Sequence, residues 1–99
     1  MKTVKQTTEY RKWYTRLKDL KARARIDVRI HRLAMGHAGD AKSIGDGVSE
    51  LRFHFGPGYR VYYTERLGEI IILLAGGDKS TQTADIEKAV KLCAEILEV

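Results

Sequence analysis

A single cysteine, Cys93, rules out an internal disulfide, and a reducing cytoplasm is the expected home of the chain. No apolar run reaches the ~20 residues that a helix needs to cross a bilayer, so no membrane partner is expected. The opening segment Met1-Lys2-Thr3-Val4-Lys5-Gln6 lacks the apolar core of a signal peptide. Internal repeats and low-complexity tails are missing as well. A Walker-type phosphate loop needs glycine directly before its lysine, and Gly76-Gly77-Asp78-Lys79-Ser80 places an aspartate there. A calcium loop fails in the same way, because Asp40 is followed by Lys42 and Ile44 where further oxygen ligands are required. His31 and His37 share no metal-ligand spacing with each other or with Cys93. Neither a metal nor a cofactor is expected.

What is present is positive charge, unevenly spread. Residues 1–35 hold eleven Lys and Arg against Glu9, Asp19 and Asp27, a local charge of +8 in a chain whose net charge is +5. A basic amino-terminal third fits a polyanion or an acidic protein segment, and equally a helix that is merely solvated. The 99 residues suffice for one domain, expected over 1–99, with a modest core.

The segment Glu50–Arg60 reads as a β-hairpin. Leu51, Phe53 and Phe55 share one face of a strand, and Glu50, Arg52 and His54 the other. Beyond Gly56-Pro57-Gly58, the residues Tyr59, Val61 and Tyr63 alternate with Arg60, Tyr62 and Thr64. A three-residue loop predicts the pairs Phe55–Tyr59, His54–Arg60, Phe53–Val61 and Arg52–Tyr62. That register gathers Arg52, His54, Arg60 and Tyr62 on one polar, solvent-facing side. Such a face holds the groups a phosphodiester calls for, although polar outer faces are also common on antiparallel sheets.

Periodicity supplies the frame. Residues 2–6 form a first strand. Thr7 or Thr8 caps a helix with Tyr10, Trp13, Tyr14 and Leu17 on one stripe, and Asp19 caps a second with Ala22, Ile26, Ile30 and Leu33 inward, ending at Gly36. Residues 36–47 read as a loop, and strands follow at about 48–55, 59–65 and 69–75. The run Glu69–Ala75 is apolar at consecutive positions, as in a strand covered on both sides. A last helix from about Thr83 buries Ile86, Ala89, Val90, Cys93 and Leu97, which makes Cys93 a core thiol. The order β-α-α-β-β-β-α predicts an α+β domain, a small, mainly antiparallel sheet with the helical pair on one face.

One set of residues carries a family resemblance. It comprises Leu17-Lys18-Asp19, Ala24-Arg25-Ile26, Arg29, Arg32-Leu33, Gly39-Asp40, Gly47, Glu50-Leu51-Arg52, Gly56-Pro57-Gly58-Tyr59-Arg60-Val61-Tyr62, Leu73-Leu74, Gly76-Gly77-Asp78-Lys79, Gln82 and Asp85-Ile86. Over nearly the whole chain these resemble the addiction-module killer branch of the RelE/ParE/HigB toxin superfamily. The resemblance implies the toxin half of a type II toxin–antitoxin system, silenced by a helix-turn-helix antitoxin. It further implies metal-independent cleavage of messenger RNA, often on the translating ribosome. Arg60 and Lys79 then match basic catalytic positions, Arg52 lies in a strand that is basic in relatives, and Tyr59, Tyr62 and Gln82 fall among substrate-binding positions. Asp85 stands where some relatives carry a catalytic tyrosine, a role a carboxylate cannot simply take over. His54 is the substitute base, since an imidazole gives or takes a proton near neutral pH; its plainer role is that of a cross-strand neighbour of Arg60. Within the same superfamily, a gyrase-poisoning toxin without nuclease chemistry is the alternative, and a catalytically inert repressor partner is a third reading.

Overall fold

A computed structural model describes residues 1–97, with the Leu97 side chain, Glu98 and Val99 outside the description. The Leu97 side chain expected in the last core stripe is among these. The elements are β1 (Thr3–Gln6), α1 (Thr8–Arg16), α2 (Leu20–Ala34), β2 (Ala41–Gly45), β3 (Val48–Arg52), β4 (Arg60–Arg66), β5 (Ile70–Gly77) and α3 (Gln82–Leu97). A 3₁₀ turn, Lys79–Thr81, joins β5 to α3. The sheet order is β1-β5-β4-β3-β2, with β1 parallel to β5 and every other pair antiparallel. This is the expected α+β architecture with one strand added.

The helix starts follow from side-chain caps. Thr7 Oγ1 accepts from Tyr10 N, and the same hydroxyl donates to Leu74 O at 2.6 Å, fastening α1 to β5. Asp19 Oδ1 accepts from Lys21 N and Ala22 N to open α2. Tyr10, Ile26 and Leu33 then pack with Leu51, Phe53, Val61, Tyr63, Ile71 and Leu73 on one face of the sheet.

The opposite face is not open to solvent, which corrects the expected polar side. Helix α3 covers it with Ala89 and Cys93, against Val48, Tyr62, Ile72, Leu74 and Ala75. A register shift separates the pairs Tyr62–Ala75 and Tyr63–Leu73, leaving Leu74 without an opposite residue, so Leu74 and Ala75 both enter this second core. The shift also sends Gly76 to the α1 side and Gly77 to the α3 side. A Cβ on Gly76 would lie 2.1 Å from the Trp13 ring, and one on Gly77 would lie 1.7 Å from Asp85 Oδ2. Both positions need glycine because a side chain already occupies the space.

Two expectations change in detail. The expected loop 36–47 contains β2, a short edge strand paired with β3 and closed by Gly45-Asp46-Gly47, all at positive φ. The β3–β4 pairs are Arg52–Arg60, Leu51–Val61 and Glu50–Tyr62, two residues away from the expected register. A shift by two preserves which residues share a face. It also lengthens the connection, so that residues 53–59 form a loop closed by Phe53 N donating to Tyr59 O.

Candidate functional site

The β3–β4 loop carries the site. Gly58 N donates to Phe55 O, making a tight turn around Gly56-Pro57, with Gly56 and Gly58 at positive φ. A Cβ at Gly58 would meet Lys79 Cγ at 3.1 Å, so the bare glycine lets the lysine stem lie against the turn. Lys79 is placed from the other side by Asp78, which caps the 3₁₀ turn by accepting from Ser80 N at 2.8 Å. An open pocket of about 330 Å³ results, lined by His54, Arg60 and Lys79 with Phe53, Phe55 and the Gly-Pro-Gly turn.

The three polar groups are held differently. Lys79 and His54 are both exposed, His54 with 73% of its side chain accessible. Arg60 is 5% exposed; its Nη1 donates to Gly58 O and Tyr59 O at 3.0 Å each, and its Nε lies 3.7 Å from Glu50 Oε1. Glu50 is itself buried and accepts from Gln82 Nε2 at 2.8 Å. Arg60 thus reaches the pocket as a fixed cation with an internal counter-charge.

Arg52 is turned elsewhere. Its Nε and Nη2 donate to Asp40 Oδ1 at 3.1 and 2.8 Å, while the second Asp40 oxygen meets His54 Nε2. These donors, His54 first and Arg52 next, hold the Asp40 carboxyl below its ordinary range. Arg29 secures the same corner from α2: Nη1 donates to Arg52 O at 2.9 Å and Nη2 to Asp40 O at 3.2 Å.

The residues expected to bind substrate divide. Tyr59 is half-buried, packed edge-on against Trp13 and beside Phe55. Gln82 braces Glu50. Tyr62 is fully buried beneath α3, which corrects its expected place on an open face; burial, then the Glu50 carboxylate, keep its phenol protonated well above the ordinary range. Asp85 is buried against Gly77 and accepts from Thr81 Oγ1 at 2.5 Å, so this carboxylate serves the β5–α3 junction. Periodicity gave no sign of the parts played by Asp40, Arg29 and Glu50. Their only signal was presence among the residues that carry the family resemblance.

Comparison with known families matches residues 12–95 to the model for "Phage derived protein Gp49-like (DUF891)". The chain belongs to this Gp49-like family. An uncharacterized protein of Haemophilus influenzae is 48% identical over 93 residues, covering 94% of each chain. The match of this Gp49-like chain to its family spans α2, every strand from β2 to β5, and the whole pocket. Among its described residues, no helix is long and apolar enough to cross a membrane, and no group of three or more His, Cys, Asp or Glu could hold a metal ion.

Proposed function

We propose that the chain is the toxin half of a type II toxin–antitoxin pair of the RelE/ParE/HigB kind, and that it cuts messenger RNA. The observation that carries this reading is the convergence of His54, Arg60 and Lys79 on one open pocket. An in-line cleavage needs those three functions and no cofactor. His54 takes the proton of a 2′-hydroxyl as its oxygen bonds to phosphorus. Arg60, already desolvated and fixed, faces the charge that grows on the phosphoryl oxygens. The bond from phosphorus to the 5′-oxygen breaks, and Lys79 gives that oxygen a proton. The products are a 2′,3′-cyclic phosphate and a 5′-hydroxyl. Arg25 and Arg32, exposed on α2 beside Val28, support docking of an acidic antitoxin segment on the helical pair.

Inducible expression tests the reading. Growth arrest is expected, with new 5′-hydroxyl ends mapping inside coding RNA. DNA breaks and SOS induction with intact messenger RNA would instead point to the gyrase-poisoning alternative.

A further inference from the structure

His54 is exposed, with 73% of its side chain accessible, and an exposed imidazole unrestrained at both χ angles spends little time aimed at any one atom. Among the described residues its ring has one hydrogen-bond partner: the Asp40 carboxylate, at Nε2. Asp40 is itself immobilised. Arg52 grips Oδ1 with a two-pronged contact, Arg52 N donates to Asp40 O at 2.9 Å, and Arg29 Nη2 donates to that same carbonyl. Arg29 in turn lies over the Phe53 ring, 4.8 Å from its centroid, so the brace runs back into the first core. The carboxylate therefore has two oxygens and two cationic or imidazole donors, one for each.

We infer that Asp40 is the positioning residue of the site: it holds the His54 ring by Nε2–H, which leaves Nδ1 as the nitrogen that accepts the substrate proton. Arg52 acts through Asp40 and does not touch the phosphodiester. An Asp–His contact of this kind selects one tautomer and one ring orientation. The role rests on the nuclease reading for its catalytic part, while the hold on the ring stands independently of any activity.

Ring-nitrogen NMR of His54, labelled at both nitrogens, reads the hold directly. The wild type should show the neutral ring protonated at Nε2. In Asp40→Ala the pattern should move to a tautomer mixture. Asp40→Asn is the isosteric second variant: its amide oxygen stays with the Arg52 donors, its N–H₂ then faces and donates to His54 Nε2, and a shift towards the Nδ1–H tautomer is expected. An unchanged His54 spectrum in both variants would overturn the inference, whether or not the protein cuts RNA. In the cleavage assay, Asp40→Ala should lower kcat on the order of 10²-fold, with KM altered much less. The double variant Asp40→Ala/His54→Ala should be no slower than His54→Ala alone. Additive losses would mean that Asp40 works independently of His54 and would also overturn it. A wild type that cuts no RNA defeats the nuclease reading, and the spectra still decide the hold.

Discussion

Arg60 and Glu50 face each other inside the protein, each with less than a tenth of its side chain accessible, across 3.7 Å between Nε and Oε1. A cation so placed has two consequences. Its position is set before any substrate arrives, and its removal leaves the buried Glu50 carboxylate without its counter-charge, held by Gln82. Arg60→Ala should therefore abolish toxicity and also destabilise the fold by about 3 kcal/mol. Lys79→Ala, at an exposed position, should change stability by no more than about 0.5 kcal/mol while lowering the cleavage rate on the order of 10²-fold. Thermal unfolding beside a cleavage assay separates the two. Equal loss of stability in both variants would contradict the buried-pair account.

Gly76 and Gly77 admit Trp13 and Asp85 from opposite sides of β5. Alanine at either position should cost about 1–3 kcal/mol by overpacking. That corresponds to a fall in Tm of at least about 4 °C for a domain of this size. Trp13 fluorescence should change in Gly76→Ala more than in Gly77→Ala. A Tm within a degree of wild type for either variant would show that the neighbouring side chain moves aside freely.

Burial holds the Tyr10 and Tyr62 phenols above their ordinary range, helped by the charges of Asp27 on Tyr10 and of Glu50 and Asp85 on Tyr62. A folded value raised above the unfolded one gives stability that is complete below about pH 10 and is lost as pH climbs through the folded value. Phenolate absorbance at about pH 11 should thus fall short of all five tyrosines. The remainder should appear together with loss of helical circular dichroism. Smooth ionisation of all five in the folded state would refute this.

Binding of an acidic antitoxin segment should weaken as salt rises from low to about 0.5 M, because exposed charges are screened beyond ~8–10 Å at physiological ionic strength. The double reversal Arg25→Glu/Arg32→Glu on α2 should weaken it further and flatten the salt dependence. Titration calorimetry at several salt concentrations measures both. An affinity indifferent to salt and to the reversal would remove α2 from the interface.

The frame was legible in the sequence wherever a side was apolar. The stripes Tyr10–Leu17 and Ala22–Leu33 found α1 and α2, and the run Ile70–Ala75 announced a strand covered twice. Strand β2 was not legible because it lies at the sheet edge, with Lys42 and Ser43 exposed and too little burial to impose alternation. Tyr62 was misplaced for a related reason: alternation with Val61 and Tyr63 assigns it a face, but only the fold says that α3 covers that face. The pocket residues His54, Arg60 and Lys79 were named from type and position. Asp40 could not be, since its partners Arg29, Arg52 and His54 come from a helix, a strand and a loop 11 or more residues away.

The parallel pairing of β1 with β5 has a temporal side. Thr3 pairs with Ile70 and Gln6 with Leu73, so β1 has no neighbour in the sheet until a strand 67 residues further along is present. Loop closure across such a span is entropically costly. Residues 3–6 are therefore among the last to gain their neighbours, and φ-values near zero are expected at Val4. The pocket likewise waits for Lys79 to join His54 and Arg60.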